Sequence, residues 1–286
     1  MAQSPTHRFG QIIGDMLEGM LRGPLGAIAA RHGLYLDYKH PRPARGDKRK
    51  VAWTDQQGNE HDLDYVLERG GSENEQGLPK AFIETAWRRY TKHSRNKAQE
   101  IQGAILPLAT KYSACNPFLG AVLAGVFTEG SLQQLRTNGF CVLYLPYDSI
   151  VRAFSRAGID ASFDEETPDE EVQRKVNAYE ALSNAQKARI PRGLQKGHAA
   201  ELDDFLQRLG RSLARKLLRV CVAALHGPSC EVHTVEEALD FIESYDESRS
   251  VAGFVRYELN AHYSNGDRIT GEFQEKNAAI AFLKGL

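Results

Sequence analysis

Apolar residues recur at three- and four-residue steps between Phe9 and His32: Ile12, Ile13, Met16, Leu17, Met20, Leu21, Leu25 and Ile28. That period predicts a helix, with a kink at Pro24 and a stop at Gly33. Leu34–Tyr38 then reads as a strand. The Pro-broken run HPRPARGDKRK, residues 40–50, reads as a solvated basic loop with Arg42, Arg45, Lys48, Arg49 and Lys50 available to phosphates. Val51–Thr54 and Asp62–Glu68, joined by the turn DQQGN, have the pattern of a hairpin. In the second of these strands, alternation puts Asp62, Asp64, Val66 and Glu68 on one face. Ala81–Trp87 is the next strand, with Phe82, Glu84, Ala86 and Arg88 on one face and Ile83, Thr85 and Trp87 on the other.

A helix is predicted from Ser94, a suitable N-cap, to about Tyr112. Its buried stripe is Ile101, Ala104, Ile105, Leu108 and Ala109. Strand Phe118–Phe127, helix Glu129–Thr137, strand Phe140–Leu145 and helix Tyr147–Ala157 follow. This alternation predicts an α/β fold with a mixed central sheet flanked by helices. The composition shifts at Gly158, where an acidic, Pro-containing stretch begins. Beyond it, helices are expected at about Glu170–Ala188, Ala199–Leu225 and Thr234–Tyr245. Asn265-Gly266 marks a hairpin, and a last helix, Glu275–Leu283, closes the chain. The expected organisation is a core over 1–158 and a mainly helical C-terminal elaboration over 159–286 that ends in a β-hairpin and helix. No internal repeat is visible.

Composition narrows the function. The 286 residues carry 36 Lys and Arg against 37 Asp and Glu, a net charge of −1. A purely electrostatic binder of nucleic acid would be strongly basic, so any such surface must be local. The four cysteines have no CxxC spacing, which argues against zinc and suits reduced thiols. The longest apolar run, Phe118–Phe127, is too short to span a bilayer, and the N-terminus lacks the apolar segment of a signal peptide. The expectation is a soluble, cytoplasmic protein with no membrane partner. Nucleoside-triphosphate loops, hydrolase elbows and HExxH metal helices are absent from the sequence.

One constellation stands out. Asp64 and Glu84 sit inside apolar strands, where a carboxylate is costly unless it is paired or metal-bound. If the two strands are neighbours, the acids converge into a pair of hard oxygen donors suited to Mg²⁺. Such a cation activates water and offsets phosphoryl transition-state charge. Arg88, Arg89, Lys92, His93, Arg95 and Lys97 follow at once, and cations there can hold a nucleic-acid backbone. They can equally neutralise the acids in salt bridges. Glu18 is a helix acid beside the apolar stripe, and is either solvated or a third carboxylate. Gln102 faces either DNA or an ordinary helix surface. Trp87 and Tyr90 are either base-stacking groups or core, and His61, on the opposite strand face from Asp64, is structural.

An Asp in DLDYV, a Glu in FIETA and a polar helix after them resemble the PD-(D/E)XK nuclease superfamily over roughly Phe9 to Leu145. The resemblance implies a metal-dependent DNA endonuclease using Mg²⁺, or Mn²⁺ in its place, with Asp64 and Glu84 as ligands. It adds the Thr85 carbonyl and Glu18 as further metal donors. Arg88, Arg89, Lys92, Arg95 and Gln102 would contact DNA. The family places a lysine two residues after the Glu, and this chain has Ala86 there. Lys97 is the first candidate for that role, with Arg88, Lys80 and Lys92 as alternatives. The long C-terminal region suits a type II restriction endonuclease that cuts double-stranded DNA as a homodimer. A DNA repair or Holliday-junction nuclease, and a nuclease-like protein that binds without cutting, are the other readings.

Overall fold

The structure, a computed structural model, describes residues 4–91, 94–225, 227–248 and 253–286. Helix α1 (Pro5–Arg31) starts at Ser4, whose hydroxyl accepts the N–H of His7, and it runs through Pro24 without a break. Its apolar stripe lies against a five-stranded sheet in the order β1-β4-β5-β6-β7. These strands are β1 (Tyr35–Tyr38), β4 (Tyr65–Arg69), β5 (Leu78–Arg88), β6 (Phe118–Gly125) and β7 (Cys141–Pro146). The β1–β4 and β4–β5 pairs are antiparallel, whereas β5–β6 and β6–β7 are parallel. The fold is therefore the expected α/β arrangement of a mixed sheet flanked by helices.

Alternation along β5 divides two cores. Ala81 and Ile83 join the α1 side, together with α4 (Tyr147–Ser155). Phe82 and Ala86 join the other side, against α2 (Ser94–Lys111) and α3 (Glu129–Thr137). The region Asp62–Glu68, expected as one strand, is two. β3 (Glu60–Leu63) pairs with β2 (Val51–Thr54) in a separate ribbon, and β4 begins only after Asp64. The hairpin is present, but its second strand leaves the ribbon at Asp64 to enter the main sheet.

The basic loop is only partly solvated. Arg42 has no exposure and bridges Asp37 on β1 at 2.8 Å and Glu68 on β4 at 2.6 Å. It also donates to the carbonyls of Ser72 and Glu75. Arg45 is buried as well, with Nε 3.0 Å from Asp37. These two arginines clamp residues 40–50 and 70–77 to the sheet edge and leave Lys48, Arg49 and Lys50 exposed.

After Gly158 the helices α5 (Asp169–Glu180), α6 (Asn184–Lys187), α7 (Arg189–Gly197) and α8 (Ala199–Leu213) follow. Val172, Val176, Ile190, Leu194, Leu202, Phe205 and Leu209 extend the α1-side core. The helix expected over Ala199–Leu225 ends at Leu213, and its second half is strand β8 (Leu217–Ala224). The helix expected over Glu170–Ala188 is interrupted at Ser183, which caps α6 through a reciprocal bond pair with Gln186.

A third core starts at β8. It contains β9 (Ser229–Val232), α9 (Val235–Ser244), β10 (Tyr257–Tyr263), β11 (Arg268–Phe273) and α10 (Lys276–Gly285). The strand order is β11-β10-β8-β9, so two successive β-β-α units meet at β8 and β10. Val222 lies opposite Leu259, with Val220 opposite Ala261 and Ala224 opposite Tyr257. Ala238 and Ile242 of α9, and Ala279 and Leu283 of α10, are fully buried over this sheet. This is an internal structural repeat that the sequence did not display, because the units share burial positions rather than residue types. No helix among the described residues is long and apolar enough to cross a membrane.

Arg42→Met would leave Glu68 buried without its cation and Asp37 with Arg45 alone, a loss of about 3–5 kcal/mol in a urea unfolding experiment. Lys48→Met, which removes an exposed pair with Glu60, should change stability by less than about 1 kcal/mol. Equal effects of the two substitutions would refute the clamp.

Candidate active site

The cleft exists because β4 is shorter than β5. Their pairing runs from Arg69↔Leu78 to Tyr65↔Ile83 and then stops. Beyond Ile83, the β4-side flank of β5 has no strand beside it, and a backbone N–H there needs an acceptor. Asp64 supplies it. Its Oδ2 accepts the Thr85 N–H at 2.7 Å and the Thr85 hydroxyl at 2.6 Å. Thr85, expected to offer its carbonyl to a metal, thus acts on Asp64 through its two donors. The carboxylate fixed this way stands next to Glu84.

The resulting cleft has a volume of about 290 Å³ and brings Asp64, Glu84, Thr85, Lys97 and Glu18 to one place. Gly14 and Glu18 come from α1, and Lys97 from the first turns of α2. Glu84 is only 8% exposed. Burial, then the charge of Asp64 and a shared hydrogen bond with it, push the Glu84 carboxyl well above its ordinary range. The Lys97 ammonium pulls in the other direction. Glu18 is pushed up to about 7, first by burial and then by Asp64. Three acids therefore face one space in which they cannot all ionise without added positive charge.

Ala86, where the nuclease pattern has a lysine, is 5% exposed and packs into the α2-side core beside Phe82 and Ala98. The position shares a strand face with Glu84, and Ala86 also lines the cleft, but its methyl group brings no charge to it. Lys97 instead reaches the cleft from the helix lying over that core, with its Nζ 3.4 Å from Glu100. Of the alternatives, Arg88 is turned to Glu100 at 3.4 Å and to the Trp87 carbonyl. Lys80 lies at the other end of β5, in a separate cavity. Lys92 lies outside the described residues.

The expected DNA contacts divide. Arg95 is exposed on the first turn of α2. Arg89 lies elsewhere: its guanidinium sits 4.0 Å from the Tyr147 ring centroid and donates to the Phe163 carbonyl. It ties the end of β5 to the segment after α4, a structural contact that the DNA expectation did not include. Gln102 faces α3, where its carbonyl accepts from Gln134 and Asn138 at 3.4 Å each. It makes a helix–helix contact. Trp87 lines the cleft with its ring 6.1 Å from that of Tyr147. His61 pairs with Asp55 at 2.9 Å and is structural.

Sequence reasoning missed Lys39. It follows β1 and lines the cleft, where its charge lowers the pKa of Glu18. Lys50 lines it too, paired with Asp62 at 2.5 Å. The basic run marked Lys50 as a phosphate contact, but nothing in the order of residues marks Lys39.

The donor set fits a hard divalent cation, which takes one or two carboxylates and fills its remaining positions with water and phosphate oxygens. Among the described residues no group of three or more His, Cys, Asp or Glu is placed to hold a metal. Asp64 and Glu84 would thus form the protein's share, with Glu18 beside them. No family model, curated protein or solved structure matches the chain.

The raised Glu84 pKa has a definite sign in metal-free protein. Between the unfolded glutamate value, about 4.3, and its own folded value, Glu84 holds a proton that the unfolded chain releases. Stability therefore falls as pH rises through that window, and Glu18 adds a slope of the same sign. In EDTA, Glu84→Gln should be more stable than the parent at pH 8 and close to it near pH 4. Denaturant midpoints measured at both pH values check this, and an equally or less stable variant at pH 8 would contradict it.

Proposed function

We propose that the protein is a divalent-metal-dependent DNA endonuclease of the PD-(D/E)XK type. The observation that carries the reading is the convergence of Asp64, buried Glu84 and Lys97 on one cleft at the uncovered flank of β5. Magnesium held by Asp64 and Glu84 would supply Lewis-acid chemistry to phosphodiester hydrolysis, and manganese would substitute for it. Thr85 holds Asp64 in place. Lys97 offers the positive charge that a developing phosphorane requires, from helix α2 in place of the strand position taken by Ala86. Glu18, pushed up to about 7, can give or take a proton at the edge of the same cleft.

Lys39 and Lys50 line the cleft, and with Arg88 at the end of β5 and Arg95 on α2 they would supply cations to a phosphate backbone. Arg88 also serves Glu100, so its share is smaller. The region after residue 158 is large enough to provide base recognition, subunit contacts or both. Within this class we favour a restriction endonuclease acting as a homodimer on double-stranded DNA, ahead of a repair or junction nuclease. Burial of Ala86 at the expected lysine position is the observation behind a second reading, a nuclease-like protein that binds DNA without cutting.

Purified protein incubated with plasmid and Mg²⁺ or Mn²⁺ should produce cleavage products. Asp64→Ala and Glu84→Ala should each lower the rate by at least about 10²–10³, the scale of a lost transition-state contact. Lys97→Met should lower the rate by a similar factor while DNA affinity stays nearly unchanged. Arg95→Ala should instead weaken binding and flatten its salt dependence. Equal products from parent and acid variants would eliminate the assignment; binding without products from the parent would favour the second reading.

A further inference from the structure

The other end of β5 has a defect in its ladder. Leu67 of β4 pairs with Ala81, but the next residue, Glu68, pairs with Pro79. Lys80 is the extra residue, an unpaired β-bulge position beside a proline that has no N–H to give. A bulge of this kind re-aims the side chain it carries. Lys80 lines a cavity of about 160 Å³ between the main sheet and the C-terminal unit. His32 and Leu34 come from the end of α1, Arg69 from the end of β4, Arg215 from the segment after α8, and Tyr263 from β10.

Three cationic side chains, Lys80, Arg69 and Arg215, line this cavity, together with the last residue, Leu286. Burial, and then the neighbouring Arg69 and Arg215, lower the Lys80 ammonium to about 8. Arg215 has partners: Asp267 at 3.3 Å and the carbonyls of Cys115 and Asn116 at 2.5 and 3.0 Å. Asp267 is thereby engaged. Among the described residues, neither Lys80 nor Arg69 has an ion pair within 4.0 Å. Lys80 is half-buried and Arg69 is exposed, and like charges gathered on one space repel one another unless an anion joins them.

We propose that this cavity is a binding site for a phosphate-sized dianion, with Lys80 and Arg69 as its direct partners and Arg215 as a supporting charge. The shape suits a single phosphoryl group, either free or at the end of a polynucleotide. It lies at the opposite end of β5 from Glu84, and it does not rest on the nuclease reading.

Titration calorimetry of the full chain in EDTA, with inorganic phosphate against chloride at matched ionic strength, tests it. The parent and Glu84→Ala should both show saturable binding of one phosphate. Lys80→Met and Arg69→Gln should each weaken it by about tenfold or more, the loss of one charge-assisted contact. Lys80→Met should also melt at no lower a temperature in phosphate-free buffer, because it removes one of three mutually repelling cations; this separates loss of the site from loss of the fold. Absence of saturable phosphate binding by the parent, or unchanged binding in both variants, overturns the proposal. Two oligonucleotides differing only in a 5′-phosphate identify the source. Tighter binding of the phosphorylated strand assigns the site to polynucleotide ends, and equal binding assigns it to small phosphates.

Discussion

The Thr85 N–H must find an acceptor, and the way it does so shapes the whole cleft. In a sheet of matched strands, β4 would continue beside β5 and supply a backbone carbonyl. Here the chain turns away at Asp64 into a separate ribbon, and the aspartate side chain replaces the missing strand. That substitution opens one flank of a central strand to solvent. It also places a fixed carboxylate next to Glu84, which the strand's own alternation holds at the edge of the α2-side core. A change in the length of β4 would therefore alter the chemistry before it altered the packing.

A second set of charges gives this opening its rigidity. Asp37, Glu68, Arg42 and Arg45 are all buried, and their bonds join two strands to two loops. Buried ion pairs contribute little net stability compared with apolar replacements, but they penalise any arrangement that separates them. The penalty falls on movement of residues 40–50, the loop that ends at Lys50 beside the cleft. Positive charge at the cleft rim is thus set by charge that never meets solvent.

Much of this was legible in the order of residues. The stripe of α1 and the acids within apolar strands carry strong local signals, since period and burial cost are properties of short segments. Asp64 and Glu84 stand out that way, and Lys97 by its place early on the following helix, and the three line one cleft. The missed features are those decided by distant partners. Arg42 looked like part of a solvated loop because its acids are five residues before it and 26 after it, on different strands. Gln102 looked free because its partners come from another helix. Leu217–Ala224 looked helical because no glycine or proline marks the end of α8 and its apolar residues continue the run. The bulge at Lys80 depends on register, which no single strand contains.

The central strand also limits how this protein can vary. Its length is 11 residues, held by β4 on one side over its first half and by β6 on the other from Ala81 onward. Only three residues separate the bulge from Glu84. An inserted or deleted residue in that interval could not be taken up by a loop, and it would turn Glu84 to the α1 side. Descendants of this sequence can exchange side chains along β5 while keeping the site, but they cannot change the number of residues between its two ends.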